Sequence, residues 1–445
     1  MKTYQDWLEV ANKSENERMS FIQTAINEHK GSKAYRDAVD GENYYNGENT
    51  TIKRYEKILF NAAGQAVPDM VSANHKIATR FFYRSVNQAT ATLLGNGISW
   101  KSGDGAILDV DMDGIAVDAL RTAQTQGASY GFYNNHSIVL FSVLDFVPFL
   151  DEEDGAIKAG VRFWQIDNSK PLRATMYELD GFTEYEYKNG ESYVRQEKRG
   201  YIEKVTSTPA DGDVIYEYEN YPTFPIVPLY LNKNRQSELI PIRPQIDARD
   251  LIASHYANDI SDTELIFWTI TNSGGMDDGD LVKMLDKLRK IHATQIDNDV
   301  DLQAHSVEPS YEGREAILNR LDADLYKDAM ALDTYNLSSG AVTATQIRAA
   351  YEPLNEKLDI YERAVTKWIK GLLSVAGSDG DVSYDRSILI NKSEEITSIV
   401  QSALYLEPEY ITEKIMTILG DKDRIEQIKK LQAEQTLNRF TQGES

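Results

Sequence analysis

A regular stripe of apolar residues between positions 347 and 372 predicts the longest helix of the chain. Its members follow one another in steps of three and four, which places them on one helix face: Ile347, Tyr351, Leu354, Leu358, Tyr361, Val365, Trp368 and Leu372. Thr343 and Gln346 stand three apart, as in a capping box that satisfies the first free amides of a helix. Pro353 removes a backbone donor within the stripe, so we expect a kink there. The stripe is core packing, and its partner is either the same chain or a neighbouring copy.

Two weaker apolar patterns predict a pair of amphipathic helices ahead of this stripe. The first helix is expected to run from Pro244, a residue suited to a first turn, to about Thr269. Its apolar face is formed by Ile246, Ala253, Tyr256, Ile260 and Phe267. The second helix is expected from about Glu312 to Leu332, with an apolar face formed by Ile317, Leu321, Leu325, Ala329 and Leu332. A helix over residues 281–292 and a strand over residues 300–307 are predicted between the two.

The pattern changes between His136 and Leu231, where β-branched and aromatic residues often alternate with polar ones. Turn sequences of the Asn-Gly and Asp-Gly type separate these segments, which we expect to form an antiparallel sheet with one wet face. Helical patterns cover residues 1–30, 72–95 and 115–126, and short helices are expected from Glu394 to about Arg439. A strand at residues 382–390 is expected to return to the sheet. The predicted fold class is therefore α+β, mostly helical.

The composition limits the kind of protein that this chain forms. Its 445 residues are enough for two or three domain-sized units. The absence of cysteine excludes disulfides and thiolate metal sites. Neither a signal peptide nor an apolar run long enough to span a bilayer is apparent, so we expect a soluble protein made in a cytoplasm. The net charge of -23 disfavours tight binding of nucleic acid, although it allows DNA to pass by without being held.

Motifs that carry bond-making chemistry are missing from the sequence. It contains no phosphate-binding G-x-x-x-x-G-K-[ST] loop, no H-E-x-x-H and no G-x-S-x-G, and its six histidines are scattered. We therefore expect no catalytic residues and no cofactor. Asp109, Asp111 and Asp113 with Gly114 match the first half of a calcium loop, but the twelfth position is Leu120 instead of glutamate. An acidic turn leading into a helix is the preferred interpretation of these residues, with calcium as a weak alternative, and we expect no metal.

The order of several short motifs resembles the portal proteins of tailed bacteriophages, of the siphophage type from Gram-positive hosts. The resemblance covers nearly the whole chain. It is carried by Tyr44-Tyr45-Asn46-Gly47, by Asn74-His-Lys-Ile, by Leu93-Leu94-Gly95-Asn-Gly-Ile98, by the segment from Ile246 to Asp259, and by Ser338-Ser-Gly340. The chain departs from the usual apolar-lysine continuation after Ser-Gly, since it reads Ala341-Val-Thr-Ala-Thr-Gln.

The resemblance implies a ring of subunits, twelve in the virion, at one capsid vertex. DNA would be packaged and ejected through its central channel without sequence recognition. The implied partners are further copies of the chain, the terminase motor, head-completion or connector proteins, and the major capsid and scaffolding proteins, with no membrane involved. Assembly would take place in the host cytoplasm.

The resemblance also implies an organisation into parts. These parts are a wing (1–240), a first stem helix (241–272), a clip (273–308), a second stem helix (309–333), a tunnel loop (334–343), a long kinked wing helix (344–373), a strand returning to the wing (374–395), and crown helices with a tail (396–445).

Three groups of residues are expected to serve this function. The tunnel loop would contact DNA through Asn336, Ser338, Ser339, Gly340 and Thr343. Acids lining the channel would repel phosphates: Asp247, Asp250, Asp259, Asp262 and Glu264. Docking at the clip would use Lys283, Lys287, Arg289 and Lys290, although a basic cluster of this kind is more often a solvated helix end. Two alternative functions are a capsid-associated minor structural or scaffold protein without a channel, and a nucleotide-driven packaging enzyme, which the missing phosphate loop disfavours.

Overall fold

The fold combines helices with several small antiparallel sheets. The computed structural model describes residues 2–60, 65–69, 72–188, 190–207, 215–262, 267–271, 277, 279–280, 283, 301–305, 311–334, 344–386, 392–402 and 407–419. Within these residues the helices are α1 (Tyr4–Ala11), α2 (Glu15–Lys30), α3 (Lys33–Tyr45), α4 (Thr50–Lys53), α5 (Phe81–Leu94), α6 (Met112–Gln126), α7 (Leu239–Asp262), α8 (Tyr311–Asp328), α9 (Ala344–Val375), α10 (Lys392–Gln401) and α11 (Pro408–Leu419).

The strands pair with antiparallel neighbours throughout the described residues. They are β1 (Ile58–Phe60), β2 (Ala66–Pro68), β3 (Ile98–Ser102), β4 (Ser129–Tyr133), β5 (Ile138–Ser142), β6 (Phe146–Leu150), β7 (Ile157–Trp164), β8 (Leu172–Glu178), β9 (Gly181–Lys188), β10 (Glu191–Arg199), β11 (Ile202–Ser207), β12 (Ile215–Glu219), β13 (Ile226–Leu229), β14 (Phe267–Thr271), β15 (Asp301–His305) and β16 (Asp381–Tyr384).

The strand-rich region forms three sheets instead of the single sheet that the sequence predicts. Strands β10-β9-β8-β7-β6 form the largest sheet, β13-β4-β5 form a second, and β11-β12 form a hairpin of their own. Buried and partly exposed residues alternate along β9, as expected for a sheet with one wet face. By contrast, β4 is buried at all five positions because α6 and α9 pack on the second sheet. Alternation alone did not reveal this doubly covered sheet.

The long helix α9 packs against its own chain. Its apolar stripe lies in the largest core cluster together with residues of α5, α6 and the β13-β4-β5 sheet. Trp368 is 1% exposed, and its indole N–H donates to the carbonyl of Val227 at 3.1 Å. A Cβ at Gly131 would lie 2.8 Å from the Trp368 ring, so this close approach requires glycine. The helix continues through Pro353, and the kink stays a prediction.

Two smaller clusters attach the remaining elements. Helices α1 and α2 cover one face of the five-stranded sheet, with Trp7, Ile22 and Ile26 almost fully buried. The residues 1–30 thus form two helices instead of one, and capping boxes at Thr3 and Ser14 start them. A third cluster joins α3 and α5 to α7 and α8.

Several helix boundaries differ from the sequence-based expectations. The helix expected from residue 72 begins at Phe81, and residues 72–80 are not helical. The helix expected from Pro244 begins at Leu239, so that Pro244 lies in its second turn. It ends at Asp262, and the expected continuation to Thr269 is wrong because Phe267–Thr271 is strand β14, rich in aromatic and β-branched residues. Strand β14 pairs with β15 from Phe267 opposite His305 to Thr271 opposite Asp301.

Helix α8 ends at Asp328, four residues before the expected end. The amide of Ala331 bonds to the carbonyl of Tyr326, and that of Met330 bonds to Lys327. Met330 has φ of 50°, so these bonds form a Schellman cap with Met330 in the left-handed position. Glycine usually occupies that position, which explains why the sequence did not signal the end.

The C-terminal part agrees with the expectations only in outline. The returning strand is Asp381–Tyr384, and it pairs with β3 instead of joining the larger sheets. Helices α10 and α11 are present, whereas residues 420–445 lie outside the described residues, as does most of the helix expected at 281–292. Within the part of the chain that the structure describes, no helix is both long and apolar enough to cross a bilayer.

Candidate functional site

Helices α7 and α8 lie side by side and antiparallel. Positions 245, 249 and 259 of α7 contact positions 328, 322 and 314 of α8, so the two helices run in opposite directions. Three side-chain bridges join the pair along its length: Gln245 to Asp328, Arg249 to Asp322 (Nε to Oδ1, 2.7 Å) and Arg314 to Asp259. At the far end the rings of Tyr256 and Tyr311 lie 5.7 Å apart. Charged hydrogen bonds of this kind fix the register of two helices, so the pair forms one unit.

A second face of α7 carries a polar ladder, which we define as Asp250, Ser254 and Asn258. These side chains accept hydrogen bonds from the amides of Thr79 (3.0 Å), Ile77 (2.9 Å) and His75 (2.5 Å), respectively. Four helical residues rise about 6 Å, and two extended residues rise about 6.6 Å. These two distances are nearly equal. Every second amide of the extended segment therefore lies opposite one side chain of the polar ladder.

The beginning of α7 is attached to α3 and α4 by polar contacts. Asp247 accepts hydrogen bonds from Tyr44 and from Thr51, the latter at 2.9 Å. Arg243 forms an ion pair of 2.6 Å with Asp40. The motifs at 44–47, 74–77 and 246–259, which are distant in sequence, thus meet around one helix.

The acids expected to line a channel occupy different environments. Asp250 is 0% exposed and receives bonds from Asn49 and Thr79, so it belongs to the ladder and cannot present a charge to a channel. Asp247 is held by α3 and α4, and Asp259 is ion-paired with Arg314. The side chain of Asp262 and all of Glu264 lie outside the described residues. Asp250 therefore does not fit the expectation of an acid that lines a channel, because the helix turns its side chain toward the protein interior.

The charge of Asp250 is balanced by its surroundings. Burial raises the pKa of this carboxyl, whereas the bonds from Asn49 and Thr79, and the neighbouring Arg249, act in the opposite direction. Burial also raises the pKa of the Tyr44 hydroxyl, as does its bond to Asp247. These groups are structural contacts that attach α7 to α3, to Asn49 and to the segment at 75–79.

Among the side chains of the helix pair that the structure describes, the exposed carboxylates lie on α8. Glu312 and Glu315 are exposed, while Asp324 is shared between Arg320 and Lys327 at 3.7 Å each. The sequence patterns did not single out these two glutamates, because acids are common throughout the chain.

The segment that follows α8 is fixed on both sides. The side-chain amide of Gln88 donates to the Leu332 carbonyl at 3.0 Å and accepts from the Leu332 amide at 2.8 Å. Lys357 of α9 donates to the Ala329 carbonyl at 3.0 Å and lies 3.6 Å from Glu238. Burial lowers the pKa of Lys357, and Glu238 opposes this effect. Residues 329–332 are therefore held against α5, α7 and α9.

The remaining expected site residues are described only in part. The tunnel-loop residues Asn336, Ser338, Ser339, Gly340 and Thr343 lie outside the described residues. The same holds for Lys287, Arg289 and Lys290 of the clip group. Lys283 is described, is exposed, and lies 3.5 Å from Asp280.

The calcium candidates bind backbone amides. Asp109 accepts from the amide of Ile138, Asp111 caps α6 by accepting from Gly114, and Asp113 accepts from the amide of Ile98. The interpretation of an acidic turn that starts a helix is thus confirmed. In the described ranges, no group of three or more His, Asp or Glu side chains is arranged to hold a metal ion.

Comparison with known proteins relates this architecture to a family. Residues 26–436 match the family described as "Phage portal protein, SPP1 Gp6-like". The chain belongs to this family of phage portal proteins. The portal protein of Bacillus phage SPP1 is 22% identical over 422 residues, which cover 86% of this chain and 80% of the relative. That of Clostridium phage phiCD119 is 25% identical over 236 residues, or 49% of this chain and 52% of the relative.

A solved structure is also similar to this portal-family chain. It is a chain in the neck of an empty GTA particle, with a TM-score of 0.44 and 11% identity, covering 76% of this chain and 90% of its own. The resemblance drawn from short sequence motifs is confirmed by the family match, and so is the Gram-positive type by the Bacillus and Clostridium phage relatives.

The polar ladder is the portal-chain feature that sequence reasoning missed. Asp250, Ser254 and Asn258 stand four apart, a helical spacing that was visible in the sequence. Its partner is the segment at 75–79, for which the sequence pattern predicts a helix, and the amides of a helix interior are already bonded within the helix.

Proposed function

We propose that the chain assembles into a closed ring of twelve copies that forms the conduit for DNA at one vertex of a phage capsid. The observation that carries this proposal is membership of the portal family over residues 26–436. The antiparallel α7–α8 pair supports it, because a rigid helix pair repeated around an axis makes the wall of a channel.

The parts of the portal are assigned by residue range. Residues 1–240 form the wing, α7 and α8 form the stem, and residues 273–308 form the clip. Residues 334–343 form the tunnel loop, α9 crosses back into the wing, and residues 396–445 form the crown and tail. The fixation of Ala329 and Leu332 by Lys357 and Gln88 supports a tunnel loop that starts from a rigid base.

The channel wall works by repulsion in this proposal. Carboxylates facing the DNA prevent the phosphates from adhering, so that the motor moves DNA without breaking strong contacts. Glu312 and Glu315 on α8 are exposed in the single chain, whereas Asp250 is buried. The two glutamates are therefore better candidates than Asp250 for the carboxylates that face the DNA. The tunnel-loop residues Asn336, Ser338, Ser339, Gly340 and Thr343 would contact the DNA backbone without sequence recognition.

The chain supplies structure and the chemistry belongs to a partner. ATP hydrolysis is assigned to the terminase motor, which docks at the clip with head-completion proteins, through Lys283, Lys287, Arg289 and Lys290. The major capsid and scaffolding proteins surround the wing, and assembly takes place in the host cytoplasm before the portal becomes part of the virion. No ATP hydrolysis by the purified chain is expected.

Native mass spectrometry and negative-stain microscopy of the purified protein test the proposal. A ring of about a dozen copies with a central hole is expected. A closed dimer without a hole would overturn the proposal. The tunnel-loop assignment has a separate test, in which Gly340→Trp should leave ring assembly intact and block DNA packaging. Normal packaging by this variant would remove the loop from the mechanism.

A further inference from the structure

The hairpin of β11 and β12 presents an apolar face that the described part of the chain leaves exposed. In its register Glu203 lies opposite Tyr218 and Val205 lies opposite Tyr216, so these four side chains share one face. Val205 is 61% exposed, Tyr216 48% and Tyr218 43%. At the base of the hairpin, by contrast, Tyr201 is only 7% exposed. The exposure of the aromatic face therefore begins beyond the base of the hairpin.

Such a hairpin is incomplete as a structural unit. β11 and β12 form a two-stranded sheet, and a two-stranded hairpin in water is at best marginally stable unless a face is packed. A valine and two tyrosines on one face provide that packing surface once it is covered. Glu203 shares this face and has no ion-pair partner among the described residues, so the face also carries a negative charge.

A groove elsewhere on the chain has complementary properties. It lies between β13, α9 and the turn at residues 154–158, and its volume is about 760 Å³. Its apolar walls include Leu179, Pro222 and Phe224, and its cationic lining includes Arg235 and Lys367. The Arg235 guanidinium stacks 4.5 Å from the Tyr230 ring, and neither cation has an ion-pair partner within the described residues.

Asp154 and Lys158 also line the groove and pair with each other at 3.1 Å, so the charges left unpaired there among the described residues are the two cations. The chain has 47 Lys and Arg against 70 Asp and Glu, so most basic groups have an acidic neighbour available. A groove that keeps Arg235 and Lys367 unpaired attracts an acidic surface, and every other copy of the chain supplies one.

We propose that the hairpin face of one copy docks in the groove of the next copy around the ring. Val205, Tyr216 and Tyr218 would lie against the apolar walls, and Glu203 would approach Arg235 and Lys367. Because the two surfaces differ, each copy gives its hairpin to one neighbour and its groove to the other, which is the heterologous contact that closes a ring. The inference rests on the ring of the proposed function and names the contact that links its subunits.

Cysteine cross-linking tests the contact directly, because the natural chain has no cysteine. The double variant Val205→Cys/Lys367→Cys should form disulfides between copies under mild oxidation, giving a ladder of covalent multimers on a non-reducing gel. A mixture of the two single variants should give dimers and nothing larger. The matched control Lys204→Cys/Lys367→Cys places the cysteine on the opposite hairpin face and should cross-link at least tenfold less. A disulfide demands Cα atoms within about 7 Å, so the ladder reports close contact.

The outcomes separate this inference from the proposed function. Rings in native mass spectrometry without a ladder overturn the hairpin contact and leave the portal ring standing. A disulfide that leaves the chain at monomer mobility also overturns the contact, because the hairpin would then meet its own groove. A ladder in the variant whose control stays monomeric supports the contact.

Charge reversal provides a second measurement that does not depend on oxidation. Lys367→Glu should raise the protein concentration needed for half-assembly by about tenfold, since it places like charges together. Adding Glu203→Lys to this variant should recover most of the loss. Unchanged assembly of Lys367→Glu, or no recovery in the double variant, contradicts the proposed pairing.

Discussion

His29 is buried between aromatic rings and is accommodated in its neutral form. It is 3% exposed, its ring packs edge-on to Tyr35 and Phe163, and Nε2 lies 2.7 Å from the carbonyl of Val143. Since a carbonyl only accepts, Nε2 carries the proton. Burial is the main cause that lowers the pKa of His29. In the unfolded chain the pKa is about 6.5, so the unfolded state takes up a proton first as the pH falls.

We therefore expect His29 to make the fold less stable in mild acid. Above about pH 6.5 His29 is neutral in both states, and the free energy of unfolding is not reduced by its titration. As the pH falls from there toward the folded-state pKa, the free energy of unfolding decreases by at most about 1.4 kcal/mol per pH unit. The variant His29→Gln keeps a donor for Val143 without a titrating ring. Urea unfolding at pH 7.5 and pH 5.5 should show a smaller loss of stability for this variant than for the natural chain. Equal losses would show that His29 does not titrate differently in the two states.

Gly41 marks a contact between α3 and α6 that no larger residue can occupy. A Cβ at this position would lie 1.8 Å from the carbonyl oxygen of Thr125. Gly41→Ala should therefore destabilise the fold by more than about 2 kcal/mol, since the helices must separate. Gly31→Ala is the matched control, because its Cβ would meet only ordinary contacts at 3.6 Å. Thermal unfolding of both variants measures the difference, and similar midpoints would contradict the close contact.

At the scale of elements, the polar ladder attaches α7 to the extended segment at 75–79. Ser254→Ala would leave the partly buried amide of Ile77 without its acceptor, and an amide left unsatisfied costs up to about 1–3 kcal/mol when it is shielded from water. Ser261→Ala is the control, because Ser261 is exposed and its hydroxyl lies 3.0 Å from the ring nitrogen Nε2 of His75, an exposed contact. The free energy of unfolding in urea should fall for the first variant and change by less than about 0.5 kcal/mol for the second. Equal effects would argue against the ladder.

Lys357 connects α9 to the ends of α7 and α8. Lys357→Met should destabilise the fold by about 2 kcal/mol, because the carbonyl of Ala329 and the carboxylate of Glu238 lose their partner. Adding Glu238→Gln should recover part of this loss, since Glu238 then carries no unpaired charge. A double-mutant cycle on unfolding free energies gives the coupling. Additive losses would mean that the two side chains act independently.

Among the helices and strands, some could be predicted from the sequence and others could not. The stripe of α9 was predicted residue by residue because a long helix with one buried face leaves an unambiguous period. The end of α8 was missed since its cap uses Met330 in a conformation that glycine usually adopts. Strand β14 was absorbed into α7 because Phe267 falls on the helical period by chance, within a segment too short for periodicity to decide.

The candidate site was harder to predict than the fold because burial decides the role of each acid. Asp247, Asp250 and Asp259 look equivalent in the sequence, yet one contacts α3 and α4, one is fully buried and one is ion-paired. The helical period in the sequence indicates which residues share a face. Only the packing of neighbouring elements decides which face is exposed to solvent.

At the scale of the whole molecule, the charge of -23 predicts weak binding to DNA. Fluorescence anisotropy with a labelled duplex at 150 mM salt should show no binding tighter than about 10⁻⁴ M, the weak end of non-specific association. Saturable binding at micromolar protein, with a steep dependence on salt, would contradict the proposal of a repelling channel wall.

Reversing charge on α8 tests whether this helix faces the DNA. The variant Glu312→Lys/Glu315→Lys should bind duplex DNA, and each new phosphate contact should add about 0.9 to the slope of log K against log salt. The matched control Glu191→Lys/Glu197→Lys changes the net charge equally on the exposed edge strand β10. Because a ring collects the α8 substitutions of all copies around one axis, the α8 variant should gain far more affinity than the control. Equal gains would mean that net charge alone governs binding and that α8 does not line the channel.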